Sequence, residues 1–173
     1  MLARKNKNLC VVGDDDQSIY GFRGARPDIM LGFTNYYPCA KQIILEYNYR
    51  STPQIVRCAG LLIEKNRKRF SKNIKAVRED GKPVGILECR DRRDEYDRVC
   101  RRIIMKVISG TAHEDIAVLY RNNIIQWGLL HVMDEYGIPY SGDKEGHGVK
   151  LMTYHGSKGL EFSCVFLIDC NKG

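Results

Sequence analysis

The stretch "VKLMTYHGSKGLEFSCVFLI", residues 149–168, decides the fold of this chain. Its two ends, Val149–Thr153 and Cys164–Ile168, are nearly continuous apolar runs of the kind found in buried strands. A polar turn containing glycine separates them. The run Ile116–Tyr120 has the same character and is also followed by polar residues. These patterns predict an α/β fold with a mostly parallel sheet that is covered on both faces.

Strands and helices alternate outward from this stretch. The remaining predicted strands are Asn8–Gly13, Gln42–Glu46 and Val84–Glu88, and the predicted helices are Pro53–Arg69, Arg92–Ser109 and Asn123–Tyr136. Ser51 or Thr52 is the expected cap of the first helix, with Pro53 at its first position. Two segments are expected to be loops. Residues 71–83 are polar and basic and predict an exposed connector, and Ser141–Gly148 is short and rich in glycine.

Composition restricts the class of protein. The chain has 173 residues, 43% of them hydrophobic, and a formal net charge of +7, which modestly favours a polyanionic partner. Its seven cysteines form no C-x-x-C pair, so a reduced, cytoplasmic protein is expected rather than a disulfide framework or a zinc site. No stretch resembles a signal peptide, and no apolar run approaches the ~20 residues of a membrane span.

The first of three polar clusters is "GDDDQSIYGFRGA", Gly13–Ala25, which follows a predicted strand. Ligands of open α/β sheets bind at the carboxyl ends of strands, so Asp14–Asp16 are either magnesium ligands or a solvated turn. The amide of Gln17 is suited to orienting a water molecule or sensing a phosphate.

The same loop carries an aromatic and basic group. Tyr20 and Phe22 lie two residues apart beside Arg23, a combination suited to stacking on unpaired bases and holding the nucleic-acid backbone. Core packing is the alternative, and for Phe22 taken alone it is the better one.

The second cluster is "LEYNYRST", Leu45–Thr52, where a strand is expected to end and a helix to begin. Asn48 is expected to fix the turn. Tyr49 offers a flat ring to a nucleobase, and Arg50 offers a guanidinium to phosphate beside the positive end of the helix. The alternatives are a tyrosine in the core and an arginine paired with a nearby acid.

The third cluster lies in Val149–Phe162, after a buried strand. Its hydroxyl, imidazole and ammonium groups, on Thr153, His155, Ser157 and Lys158, suit phosphate binding. Gly159 allows the backbone to approach a ligand closely, and Glu161 can accept hydrogen bonds from ribose hydroxyls. A lone histidine or lysine here would be a surface residue, but the density of polar groups favours a site.

In this order the clusters resemble motifs III, IV and V of superfamily 1 DNA helicases of the UvrD/PcrA/Rep type. The segment "IAVLYRNNIIQWGLLHVMDEYGIPY" resembles the strand and helix that precede the large inserted subdomain of this family. The resemblance covers nearly the whole chain. It implies two RecA-like motor domains with ATP and Mg²⁺ in the cleft between them, and 3′–5′ movement on single-stranded DNA. The pathways open to such an enzyme are DNA repair, replication and plasmid maintenance.

The resemblance also implies a domain organisation. Residues 1–40 would be the end of the first motor domain and a linker. Residues 41–173 would be the second RecA-like domain, a three-layer fold like that of P-loop NTPases. Residues 141–148 would replace the large inserted subdomain. Partners would be single-stranded and duplex DNA and the rest of the first motor domain, with no role at a membrane.

Roles for individual residues follow from the same resemblance. Gln17 would sense the γ-phosphate, while Tyr20, Phe22 and Arg23 face the DNA. Tyr49 would stack on adenine, Arg50 would act as an arginine finger, and Gly159 and Glu161 would bind the nucleotide, Glu161 through its sugar. Thr153, His155 and Lys158 would lie along the DNA path. The family usually has tryptophan where Phe22 stands, so its base contact is expected to be weaker.

Some family features are missing from the sequence. No G-x-x-x-x-G-K-[ST] phosphate-binding loop occurs, and motif VI and the acidic pair upstream of motif III are absent. The chain alone is therefore expected not to hydrolyse ATP, and most Mg²⁺ ligands are expected on the missing domain. Two other classes of protein remain open. The first is a magnesium-dependent α/β enzyme that uses Asp14–Asp16, and it requires these carboxylates to lie at the centre of the sheet near a lysine. The second is a stand-alone nucleic-acid-binding or partner-binding module.

Overall fold

The structure is a computed structural model that describes residues 9–123, 126–143 and 145–170. The chain divides into two compact units, Met1–Gly85 and Ile86–Gly173. Among the described residues, no helix has both the length and the apolar character needed to cross a membrane.

The first unit contains short elements. Its helices are α1 (Pro27–Leu31), α2 (Phe33–Tyr36) and α3 (Pro53–Ile63), and its strands are β1 (Tyr47–Asn48) and β2 (Lys75–Ala76), which pair in parallel. Two 3₁₀ turns, Asp15–Gln17 and Gly21–Arg23, precede them. None of the described apolar residues of this unit is buried, although the side chain of Asp15 is only 1% exposed.

Helix α3 begins as predicted and ends early. Thr52 is its N-cap and Pro53 its first residue, although the Thr52 side chain does not cap it. The helix stops at Ile63 rather than Arg69, because the residues beyond it carry several like charges and no apolar stripe that would hold a further turn against a core.

Three predicted strands are wrong in the described residues. Residues 9–13, Gln42–Glu46 and Val84–Glu88 adopt no strand, and β1 begins directly after the second of them. A strand needs a hydrogen-bonded neighbour along its length, and none of these described segments is paired in that way. The Glu46 carbonyl alone accepts from the Lys75 amide of β2 at 2.7 Å, at the point where β1 begins. The apolar side chains of these segments are correspondingly exposed, Val12 to 86% and Ile86 to 91%.

The second unit is built on a four-stranded parallel sheet. Its strands are β3 (Ile116–Tyr120), β4 (Tyr140–Ser141), β5 (Val149–Thr153) and β6 (Cys164–Leu167), in the order β4-β5-β3-β6. Residue Val118 pairs with Leu151 on one side and Phe166 on the other. The predicted strands Ile116–Tyr120 and Val149–Thr153 are confirmed with their bounds, and the third ends one residue earlier than predicted.

Two helices, α4 (Arg92–Ile108) and α5 (Gln126–Glu135), cover one face of this sheet. Asp91 begins α4 by accepting a hydrogen bond from the Asp94 amide. The predicted helix Asn123–Tyr136 is observed over Gln126–Glu135 and ends one residue earlier than predicted, and residues 124–125 lie outside the described part of the chain.

The opposite face of the sheet is covered by the turn after β5. Tyr154, Leu160 and Phe162 pack there against a small cluster of Ala117, Leu119 and Met152. Because both faces are covered, β3 is buried along its whole length, which explains its unbroken apolar sequence. The predicted α/β class with a parallel sheet flanked by helices is thereby confirmed.

Candidate functional site

The loop Gly13–Ala25 holds Gln17 by a local hydrogen bond. Asp14 caps the first 3₁₀ turn by accepting from the Asp16 amide at 3.1 Å, and its other oxygen accepts from Gln17 Nε2 at 2.6 Å. A carboxylate only accepts hydrogen bonds, so the NH₂ group of Gln17 must face Asp14. Its carbonyl oxygen is therefore turned away from Asp14 and is oriented to accept a hydrogen bond from another group.

Two basic residues from later in the first unit pair with the aspartate triplet. Arg69 donates two parallel hydrogen bonds to Asp16, Nε to Oδ1 at 2.9 Å and an Nη to Oδ2 at 2.8 Å. The Lys72 ammonium pairs with Asp14 Oδ1 at 2.6 Å, with Asp16 Oδ2 at 3.0 Å and with Asp15 Oδ1. The backbone N–H of Phe70 donates to Asp15 Oδ2 at 2.8 Å.

The pKa values of these groups reflect the pairing. Hydrogen bonding from Arg69 lowers the pKa of Asp16 from 3.8 to about 2. Partial burial raises the pKa of Asp14, but hydrogen bonds from Lys72 and Gln17 outweigh burial and bring it below the ordinary value. Burial lowers the pKa of Lys72, and the three carboxylates more than reverse this. Asp14, Asp16 and Lys72 are therefore ionised at neutral pH.

This pairing weakens the alternative of a magnesium enzyme. The three carboxylates offer oxygens within 4.8 Å of one another, close enough to share one cation, and the lysine that the alternative required is present. However, residues 9–13 form no strand, so the carboxylates do not stand at the end of a sheet strand. The shared cation is the Lys72 ammonium itself.

The second half of the loop forms a small aromatic and cationic cluster. The Arg23 guanidinium carbon lies 5.6 Å from the centre of the Tyr20 ring and 5.5 Å from that of Phe22. The two ring centres are 6.0 Å apart and inclined at 46°. Phe22 is 69% exposed, so the core-packing alternative for this residue is wrong. An exposed ring beside a guanidinium suits an unpaired base and its phosphate.

The turn before α3 presents Tyr49 and Arg50. Asn48 Oδ1 accepts from the amides of Arg50 at 3.0 Å and Ser51 at 2.8 Å, which confirms that Asn48 fixes the turn. Arg78 donates to the Arg50 carbonyl at 2.9 Å and steadies the backbone further. Tyr49 is 72% exposed rather than in a core, and Arg50 is exposed at the N-terminal end of the helix.

The turn after β5 belongs to the second unit and is internally hydrogen-bonded. Thr153 Oγ1 accepts from the Gly156 amide at 3.0 Å, and the Tyr154 hydroxyl donates to the Ile168 carbonyl at 3.0 Å, which ties the turn to the sheet. Gly159 has a φ of 84°, a left-handed conformation that favours glycine. The remaining predicted ligands are His155, which is half-buried, and Lys158 and Glu161, which are exposed.

A groove of about 320 Å³ runs beside Glu161. Its lining includes Lys150, Glu114 and His147. Lys150 is only 4% exposed, and its ammonium donates to the carbonyl oxygens of Gly146 and Asp143 in the connector between β4 and β5. The sequence does not indicate this lysine as a functional residue, because it lies inside an apolar run that predicts a strand.

The predicted nucleotide ligands are distributed between the two units. Tyr49 and Arg50 belong to the first unit, and Gly159 and Glu161 to the second. Their gathering at one nucleotide stays a prediction. Within the first unit, Gln17 and the Tyr20–Phe22–Arg23 cluster share one loop, as the sequence predicted.

Sequence reasoning also missed Arg69 and Lys72. The segment containing Lys72 was predicted to be an exposed connector, yet the Lys72 side chain is only 12% exposed and β2 lies just beyond it. The available signal was the aspartate triplet, which requires nearby positive charge when it is partly buried.

Two family models match the chain. The UvrD-like helicase C-terminal domain matches residues 43–145, and the UvrD/REP helicase N-terminal domain matches residues 1–38. Among curated proteins, YjcD of Bacillus subtilis is 42% identical over 144 residues, which are 83% of this chain and 19% of that protein. The ATP-dependent DNA helicases PcrA of Staphylococcus epidermidis and Staphylococcus aureus are 41% and 40% identical over 141 residues, 82% of this chain and 19% of theirs. The chain thus spans about a fifth of the length of the relatives it matches.

Proposed function

Because the chain belongs to the UvrD/REP family of helicases, we propose that it is part of an ATP-dependent 3′–5′ DNA helicase and translocase. It contributes one face of the ATP cleft and part of the track for single-stranded DNA. The names of the PcrA relatives support this activity. Since the chain carries no phosphate-binding loop, we assign ATP turnover to the larger enzyme and not to these residues alone.

The proposed division of the chain places the end of the first motor domain and a linker in residues 1–40. The second motor domain occupies residues 41–173, with residues 141–148 in place of a large inserted subdomain. The two family matches, which change over between residues 38 and 43, support this boundary. The rest of the first motor domain is then the main protein partner.

One observation carries the functional proposal: a single loop holds a phosphate-sensing amide and an exposed base-stacking cluster. Gln17 is held by Asp14 with its carbonyl turned outward, and Phe22 is exposed a few residues later beside Arg23. An enzyme that couples hydrolysis to movement on DNA needs such a link between its two sites. We assign Gln17 to the γ-phosphate and Tyr20, Phe22 and Arg23 to the DNA.

The remaining nucleotide contacts are proposed for the two turns. Tyr49 stacks on the adenine, and Arg50 approaches the γ-phosphate from the N-terminal end of α3. Both side chains are exposed there, which supports these roles. Gly159 and Glu161, in the turn after β5, bind the nucleotide, and Glu161 does so through its sugar. A Mg²⁺ ion accompanies ATP, with its ligands mostly on the first motor domain, because Lys72 and Arg69 already pair with Asp14–Asp16.

The DNA track continues along the turn after β5. Thr153 anchors that turn through its hydrogen bond to Gly156, and His155 and Lys158 supply polar and cationic groups for the phosphates. The formal net charge of +7 supports a polyanionic ligand. A stand-alone nucleic-acid-binding module is the second candidate, because the Tyr20–Phe22–Arg23 cluster forms within the first unit by itself.

Measurement of ATP turnover separates these candidates. We expect the purified chain alone to show none, and the enzyme that includes the first motor domain to show turnover stimulated by single-stranded DNA. In that enzyme, Arg50→Ala should reduce turnover by ~10³–10⁵, the usual contribution of an arginine finger. Lys82→Ala, at an exposed position of the same unit, is the control. Turnover by the chain alone that disappears with Arg50→Ala would contradict the proposal.

A further inference from the structure

We propose that Lys72 and Arg69 are positioning residues for hydrolysis, because they fix the aspartate triplet that orients Gln17. The proposal rests on the function proposed above, in which Gln17 acts at the γ-phosphate. Neither residue belongs to the clusters that the sequence singled out. Both lie beyond the end of α3.

The contacts form a continuous chain from Lys72 to Gln17. The Lys72 ammonium holds Asp14 Oδ1 at 2.6 Å, and Asp14 Oδ2 accepts from Gln17 Nε2 at 2.6 Å. Asp14 also accepts from the Asp16 amide, and Asp16 is held in turn by the guanidinium of Arg69. A shift of Lys72 would therefore move Asp14, and with it the direction of the Gln17 carbonyl.

The chemistry of lysine suits this position. Its ammonium has three N–H donors, and it contacts one oxygen from each of the three carboxylates. The side chain of Asp15 is 1% exposed and that of Lys72 is 12% exposed, so water competes little for that contact, whereas the Asp14 side chain is 39% exposed. Buried charge pairs of this kind lose much when one partner is removed. The planar fork of arginine cannot direct donors at three carboxylates in the same way.

Arg69 and Lys72, together with the aspartates that they hold, are called the clamp below. Helix α3 lies along the chain between the clamp and Arg50, the proposed arginine finger. The helix begins at Pro53, just after Arg50, and ends at Ile63, a few residues before Arg69. Its length is ~16 Å. The clamp and Arg50 therefore belong to one unit and are joined along the chain by α3.

A double-mutant cycle in the enzyme that includes the first motor domain tests the proposal. Lys72→Met should reduce kcat for ATP by ~10²-fold, the effect of misplacing a catalytic group by about 1 Å. KM for ATP and affinity for single-stranded DNA should be unchanged. The double variant Lys72→Met/Gln17→Ala should be no slower than Gln17→Ala, since both act through one group. Lys68→Met, at an exposed lysine four residues earlier, is the control.

Two results would overturn the proposal: a normal kcat for Lys72→Met, or losses that multiply in the double variant. If Lys72→Met fails to fold, Asp14→Asn replaces it, because it breaks the same link with a side chain of equal size. It should give the same loss of kcat.

A second measurement separates failure of this inference from failure of the proposed function. In the ¹⁵N-labelled chain, the side-chain amide signals of Gln17 should shift with Lys72→Met and stay unchanged with Lys68→Met. If Gln17→Ala leaves kcat unchanged while these signals shift, the assigned role of Gln17 is wrong and the clamp is real. If the signals do not respond to Lys72→Met, the clamp itself is wrong.

Discussion

Phe22 and Tyr20 carry the proposed base contact in this chain, and the resemblance of the motif implies a tryptophan at the position of Phe22. The smaller ring keeps a stacking face but has less area and no indole N–H. The guanidinium carbon of Arg23 lies 5.5 Å from the centre of the Phe22 ring and places a positive charge beside it. The contact therefore depends on the cluster and not on one ring.

Substitution within this loop separates DNA binding from hydrolysis. Tyr20→Ala should weaken single-strand binding by ~1–3 kcal/mol, the usual contribution of one stacked base. Gln17→Ala should leave DNA affinity nearly intact and uncouple it from hydrolysis. Fluorescence anisotropy with a single-stranded oligonucleotide, beside an ATPase assay of the two-domain enzyme, measures both. Tyr36→Ala, at a tyrosine that is 75% exposed, is the control. Loss of DNA binding with Gln17→Ala, and no effect of Tyr20→Ala, would refute this division.

The Asp16–Arg69 pair predicts a defined pH dependence. The pKa of Asp16 is lowered to about 2, mainly by its hydrogen bonds from Arg69, so the pair stabilises the loop above the ordinary carboxyl pKa of 3.8. That stabilisation is lost as pH falls from about 4 toward 2 and corresponds to ~2 kcal/mol. A carboxyl carbon titration by NMR should give a pKa near 2, and Arg69→Ala should raise it toward 3.8. A titration that Arg69→Ala does not change would show that another group lowers this pKa.

At the scale of elements, the connector between β4 and β5 depends on Gly148. This residue has a φ of 97°, and a Cβ there would lie 2.6 Å from the backbone carbon and oxygen of Pro139. Those atoms belong to main chain whose carbonyl accepts from the Val149 amide at 2.8 Å, so they have little room to move.

Gly148→Ala should therefore destabilise the chain by at least ~1–3 kcal/mol, the range of a strained backbone position. Urea unfolding followed by circular dichroism measures this loss. Gly142→Ala is the matched control, because a Cβ there meets no atom within 4 Å. Equal stability of the two variants would mean that the connector can rearrange around Gly148.

The sequence correctly predicted the strands that are covered on both faces of the sheet, because nearly every position of such a strand is apolar. The strand Ile116–Tyr120 alternates between the two core clusters of the sheet, so every position is apolar and the run is recognisable. The segment Gln42–Glu46 has a similar composition, but β2 reaches only its last carbonyl and no strand pairs along its length. Composition does not reveal whether such a neighbour exists.

The same distinction applies to the candidate site. Asn48 was predicted to fix its turn, and its partners are two and three residues away. Lys72 could not be predicted as a partner of Asp14, because 58 residues separate them and only the fold brings them together. Local hydrogen bonds can be inferred from spacing, whereas contacts between distant segments require the structure.

At the scale of the whole molecule, burial is unevenly distributed. All apolar residues that are buried in the described part of the chain lie in the second unit, among them Ile103, Val118 and Leu151. In the first unit, apolar side chains such as Leu61 and Leu62 on α3 are exposed to 62% and 69%. Such a unit has little hydrophobic stabilisation of its own.

Hydrogen exchange should reveal this difference. Amides of β3 and β5 should exchange at the rate of global unfolding, and amides of α3 should exchange much faster. Mass spectrometry of peptides from the intact chain measures both. Addition of the first motor domain should slow exchange in residues 9–85 and leave β3 unchanged. Equal protection of the two units in the chain alone would contradict the prediction.

The parallel strands β4 and β5 are joined by residues 142–148 alone, whereas parallel neighbours usually need a crossover of a dozen residues or more. Tyr140 and Val149 pair side by side, so the connector leaves the sheet and returns to it at almost one point. Closing a longer loop there adds only ~0.6 kcal/mol for each doubling of its length. This position is consequently suited to domain insertion. In the course of evolution, a complete domain can be gained or lost here while the strands on either side keep their pairing.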